Sequence, residues 1–115
     1  MYKWTYSRAP RLRGYYLVTL YNDVDNDKTL WIRWWTGSWW NIDESVLSVV
    51  AWMPVPWVTG NGDICPEEDG YYLVQTFGPG GCRPSMQYYR KGKGWDPFYD
   101  KNIHVVAWDK IPELA

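Results

Sequence analysis

Apolar and polar residues alternate with a two-residue period in several short runs along this chain, and no long run holds the 3.6-residue period of an amphipathic helix. Over residues 14–21, Tyr16, Val18 and Leu20 alternate with Tyr15, Leu17 and Thr19. Both sets are largely apolar, which predicts a strand covered on two sides. A polar loop at 22–28 leads to a second predicted strand at 29–35, and Thr36, Gly37 and Ser38 turn the chain into a short third strand beginning at Trp39. A fourth, at 48–53, stops at Pro54 and Pro56, which have no backbone N–H to give a ladder. A single helical turn is expected over 43–47.

The pattern then recurs. Shifting the chain by 56 residues aligns Gly14, Tyr15, Tyr16, Leu17 and Val18 with Gly70, Tyr71, Tyr72, Leu73 and Val74. The same shift pairs Pro10 with Pro66, Trp39 with Trp95, Val50-Ala51-Trp52 with Val106-Ala107-Trp108, and Pro56 with Pro112. A constant offset over this span points to duplication. Strands are accordingly expected at 70–77, 84–90, 95–99 and 103–109. The fold class expected is all-β: two tandem antiparallel β-meander repeats forming one pseudo-twofold barrel or sandwich, which would protect edge strands from aggregation. Residues 1–115 are read as a single domain, with repeats at about 10–56 and 66–112 joined by a 57–65 linker. Trp52 and Trp108 end apolar runs and are expected to be buried.

Composition narrows the function. With 46% hydrophobic and 22% charged residues and a net charge of -1, the chain reads as an ordinary globular domain without the broad basic surface needed to coat DNA. Lys3, Arg8, Arg11 and Arg13 precede Gly14 without an acid among them, and are read as a solvated arm. No apolar stretch approaches a membrane span and no signal peptide opens the chain, so a cytoplasmic location in the host cell is expected. Cys65 and Cys82 lack the spacing of a zinc site and are read as reduced thiols. The outlier is aromatic content: 10 Trp, 10 Tyr and 2 Phe. These rings would supply roughly 4,400 Å² of the roughly 13,000 Å² that a chain of this size buries, so a core could absorb nearly all of them.

The run Val49-Val50-Ala51-Trp52-Met53-Pro54-Val55-Pro56 resembles the ending of a small bacterial and phage domain of unknown function that closes on a Trp-Met-Pro-Leu-Pro motif. Pro66-Glu67-Glu68-Asp69-Gly70 entering Tyr71-Tyr72-Leu73-Val74 is similar to that family's opening turn and strand, here in two tandem copies. The resemblance implies a phage or prophage setting and offers no catalytic residues to carry over. It suggests, by analogy with small phage accessory proteins, an inhibitor of a host factor.

Catalytic patterns are incomplete. Asp23, Asp25 and Asp27 begin a calcium-loop spacing, but Lys28 stands at the glycine position and Trp34 at the bidentate glutamate position. They are read as an acidic hairpin loop. His104 is the single histidine and is placed on the strand face opposite Ile103 and Val105. The Gly78-Pro79-Gly80-Gly81-Cys82-Arg83 loop lacks the Gly-Lys-Ser/Thr ending of a phosphate cradle. The chain is therefore expected to be no enzyme and to carry no cofactor or metal. The binding candidates are Trp31, Arg33, Trp34, Trp35, Trp39 and Trp40, with the similar segment Tyr88, Tyr89 and Arg90, because rings beside guanidinium groups grip partners at hot spots and stack on bases. The leading expectation is a non-catalytic phage accessory protein that binds a host protein, as an anti-CRISPR or other counter-defence inhibitor. The alternatives are a sponge for a cyclic or modified nucleotide and a carbohydrate-binding module. A homo-oligomer is compatible with each.

Overall fold

The computed structural model describes residues 3–62 and 64–115; Asp63, in the expected linker, lies outside the described residues. The fold is all-β, with no helix among the described residues. Strands β1 (Gly14–Asn22), β2 (Asp27–Trp35) and β3 (Leu47–Pro54) form an antiparallel sheet in the order β2-β1-β3. Strands β4 (Gly70–Gly78), β5 (Gly81–Arg90), β6 (Gly94–Trp95) and β7 (His104–Lys110) form a second, in the order β6-β5-β4-β7. The chain divides into two compact units, one of Met1–Val55 with Pro112–Ala115 and the other of Pro56–Ile111.

Each unit is built around its first strand. Leu17, Val18, Thr19 and Leu20 are buried consecutively on β1, as are Leu73, Val74, Gln75 and Thr76 on β4, so both faces of each strand are covered. Apolar residues on both alternating sets demand this. A register shift interrupts the β1–β3 pairing between Thr19 and Leu20, and the β4–β7 pairing between Gln75 and Thr76. The buried polar side chain at this point holds a passing segment in each unit. Thr19 Oγ1 accepts the Ala115 N–H at 3.2 Å, and Gln75 Oε1 accepts the Val58 N–H at 3.2 Å.

Two expected strands are corrected. The strand beginning at Trp39 reduces to one bridge between Trp35 and Trp40, because the Thr36 hydroxyl and N–H both donate to the Trp39 carbonyl and close a turn. The strand expected at 95–99 ends at Trp95, two residues before Pro97 removes a donor. The turn over 43–47 is present: the Val46 and Leu47 N–H groups donate to the Asp43 carbonyl, and the Ser45 hydroxyl and N–H bonds to the Asp43 carboxylate hold its pKa below the usual value.

The two β-hairpins differ in length. Asn22 pairs with Asp27 across a loop of Asp23, Val24, Asp25 and Asn26, whereas Gly78 pairs with Gly81 across Pro79 and Gly80. Gly14 therefore faces Trp35 while Gly70 faces Tyr89, and Trp40 rather than Trp39 corresponds to Trp95. Cys82 lies on β5 rather than in the loop.

The N-terminal segment also departs from expectation. Lys3, Arg8, Arg11 and Arg13 expose their side chains, but the backbone is docked: the Thr5 N–H donates to the Trp52 carbonyl at 2.8 Å and the Trp52 N–H to the Thr5 carbonyl at 3.0 Å.

Candidate functional site

Strand register decides which rings share a face, since residues directly opposite one another project to the same side. On one face of the first unit, Tyr16 lies opposite Arg33, Val18 opposite Trp31, and Gly14 opposite Trp35. On the other, Tyr15 lies opposite Trp34 and Leu17 opposite Ile32. The tryptophans of β2 are thereby divided between two surfaces.

The first surface is centred on Tyr16. Its ring meets Trp40 edge-on at 5.9 Å and Trp52 edge-on at 5.1 Å, and Trp35 packs tilted against Trp40 at 5.1 Å. Trp35 is 7% exposed, and its indole N–H is sealed from solvent without a hydrogen-bond partner among the described residues. Tyr6, Arg8, Trp35, Trp40, Glu44 and Trp52 border a groove of about 540 Å³. The Trp52 indole N–H fixes one wall by donating to the Arg8 carbonyl at 2.6 Å. On the same sheet face, the Arg33 guanidinium lies 5.8 Å from the Trp31 ring centre and donates to the Ile32 carbonyl at 2.9 Å.

The opposite surface carries a hollow of about 590 Å³. Tyr15, 67% exposed, packs edge-on against Trp34 at 4.8 Å, and these rings border this open hollow with Ile32, Arg33 and Asn41, Arg33 reaching it from the edge strand β2. Trp39 stands apart at the hairpin turn, 62% exposed.

Tyr88, Tyr89 and Arg90 belong to the second unit. Tyr88 packs edge-on against Tyr71 at 5.0 Å beneath the Arg90 guanidinium, 4.8 Å from its ring centre. Arg90 is held by Asp96, through Nε at 2.8 Å and Nη2 at 3.4 Å, and this hydrogen bond is the main reason its pKa is raised. Tyr89 is buried against Trp95 at 5.0 Å; hydrogen bonding with Cys65, then burial, pushes its hydroxyl above the usual tyrosine value.

The sequence thus identified Trp35 and Trp40 but not Tyr6, Arg8, Glu44 and Trp52. Tyr6 and Arg8 fall before the expected repeat boundary, and Trp52 was assigned to the interior by the apolar run before it. Trp52 and Trp108 are in fact half-buried, each with its indole N–H turned to a backbone carbonyl. His104 is exposed, opposite Ile103 and Val105 as expected, and no cluster of metal-binding side chains occurs among the described residues. No helix among those residues is long and apolar enough to cross a membrane. No protein-family model, curated protein or solved structure matches the chain.

Proposed function

We propose that this chain is two diverged copies of one all-β module serving as a non-catalytic phage or prophage protein that binds and inhibits a host factor, in the manner of an anti-CRISPR or other counter-defence inhibitor. The duplication reading is supported by matching bonds at the 56-residue offset. Tyr16 OH donates to the Leu12 carbonyl and Tyr72 OH to the Glu68 carbonyl, while the Trp52 and Trp108 indoles donate to the Arg8 and Ile64 carbonyls. The phage setting rests on the resemblance of the Trp52-Met53-Pro54 ending.

The binding reading rests on one observation. Trp39 is left largely in water at a closed turn, although rings at neighbouring positions are packed. An exposed tryptophan on a turn fixed by its own backbone bonds presents a large apolar contact at little entropic cost, the pattern of an interface anchor. The Tyr15 and Trp34 rings add a second aromatic surface in the same unit.

The test is expression of the full chain in bacterial strains that each carry one phage-defence system, followed by phage challenge. Plaque formation should return on one strain, and Trp39→Ala should abolish the rescue while leaving the melting temperature unchanged. Rescue on no strain, or full rescue by the variant, would overturn the proposal.

A further inference from the structure

The first unit's groove carries a second inference, independent of the turn at Trp39. We propose that the groove bordered by Tyr6, Arg8, Trp35, Trp40, Glu44 and Trp52 is a nucleotide site, taking a base against its rings and a phosphate at Arg8. Its volume, about 540 Å³, lies within the usual range for small-molecule sites.

The second unit serves as an internal control. Trp95 and Trp108 occupy the places of Trp40 and Trp52, with nearly the same edge-on contacts to Tyr72 that the latter make to Tyr16. These rings recur because the sheet needs them. What does not recur is the polar part of the groove. The indole-to-carbonyl bond that fixes Arg8 fixes Ile64 in the second unit, so the cation is replaced by an apolar side chain. Trp35 is replaced by Tyr89, and the Trp35 indole N–H is buried with no partner among the described residues, which the Tyr89 hydroxyl is not. Sealing such a donor without an acceptor is destabilising, which a fold-only role for the site leaves unexplained. Trp40 packs 5.1 Å from Trp35 and lies outside the regular strands; in the proposed complex its ring shifts and a ligand acceptor reaches this N–H.

Charge selects the ligand class. Arg8 belongs to a segment holding Lys3, Arg11 and Arg13 and no acid, and neither Arg8 nor Glu44 has an ion-pair partner among the described residues. A guanidinium on one wall recognises a phosphate. Aromatic walls stack on a base, which every nucleobase permits. Glu44 can accept a base amino group or ribose hydroxyl but repels a second anion nearby, so a ligand with a planar polar body and one anionic end fits best. An organic cation would face Arg8, and a neutral sugar would leave it unused.

The experiment is calorimetric titration of the full chain with AMP, GMP, CMP and UMP, with adenosine, ribose 5-phosphate and glucose as separate arms. At least one nucleotide should bind more tightly than its fragments. Arg8→Ala should weaken it at least about tenfold, while Arg11→Ala, a charge-matched change outside the groove, should not. Glu44→Gln should alter the preference among bases, and the Trp35 indole N–H resonance should move downfield on binding. The site is refuted if no nucleotide binds below about 1 mM, if adenosine or glucose binds as well as a nucleotide, if Arg8→Ala binds normally, or if the Trp35 resonance stays fixed during binding. Loss of phage rescue in Trp39→Ala bears on the turn at Trp39, outside the groove lining, so the two proposals can fail separately.

Discussion

Tyr16 packs edge-on against Trp52, with ring centroids 5.1 Å apart and planes inclined at 78°. The two polar ends of this pair reach backwards along the chain. The tyrosine hydroxyl bonds to the Leu12 carbonyl at 2.6 Å and the indole to the Arg8 carbonyl at 2.6 Å, so one aromatic contact anchors the segment that approaches β1.

Replacing Trp52 should therefore separate packing from anchoring. Trp52→Phe keeps a ring and loses the indole bond, and should cost about 1 kcal/mol. Trp52→Ala loses both; because the residue is half-buried, the cost should be about 2–3 kcal/mol, below that of a fully buried ring. Urea denaturation measures both. Equal losses for the two variants would show that the ring contributes nothing beyond its N–H.

Gly14 and Gly70 enter β1 and β4 with φ of 156° and 152°, a conformation that L side chains rarely adopt. A Cβ added at Gly70 would meet no atom within 4 Å, so Gly70→Ala isolates the backbone cost from any clash. The variant should lose about 1–3 kcal/mol in chemical denaturation. A loss within experimental error would mean that the strand entrance relaxes freely.

Much of the fold was legible because its causes are local. Alternation on both faces marked β1 and β4, and the prolines after Met53 marked the end of the apolar run. The correspondence of Trp39 with Trp95 failed for a physical reason: a two-residue difference in hairpin loops shifts everything on β5, and longer turns later restore the offset. Sequence matching sees the restored total, not the compensating changes. The candidate groove was less legible still. Arg8 reaches it through a carbonyl bond to Trp52, a contact between distant residues that no short motif encodes.

Alkaline pH should weaken the second unit. Burial, then the charge of Glu68, raises the Tyr72 pKa above its ordinary 10.0, and the Cys65 hydrogen bond followed by burial raises that of Tyr89. A raised tyrosine pKa means that the folded state holds its proton more tightly than the unfolded state. The stability from both groups is thus fully present below the unfolded value and is lost as pH rises through the folded values. Denaturation midpoints should fall above about pH 10, with the absorbance change of Tyr72 and Tyr89 delayed beyond the ordinary tyrosine value of 10.0. Tyr89→Phe should lose much of that delay; an unchanged titration would remove Tyr89 from the explanation.

Thr19 and Gln75 make corresponding bonds with unequal consequences for substitution. Thr19 is fully buried, and its hydroxyl oxygen accepts the Ala115 N–H. Thr19→Val keeps the shape and strands that donor, so it should cost about 1 kcal/mol. Gln75 likewise accepts from Val58, but its side-chain N–H₂ has no hydrogen-bond partner among the described residues. Gln75→Met therefore removes a useful acceptor together with an unsatisfied donor. The first loss, about 1–3 kcal/mol for the buried Val58 N–H, is opposed by a gain of similar size. Gln75→Met should thus be less destabilising than Thr19→Val, even though Gln75 is the larger buried polar group. Thermal and urea denaturation of the two variants measures the order; a larger loss for Gln75→Met would mean that the amide donor is satisfied in solution.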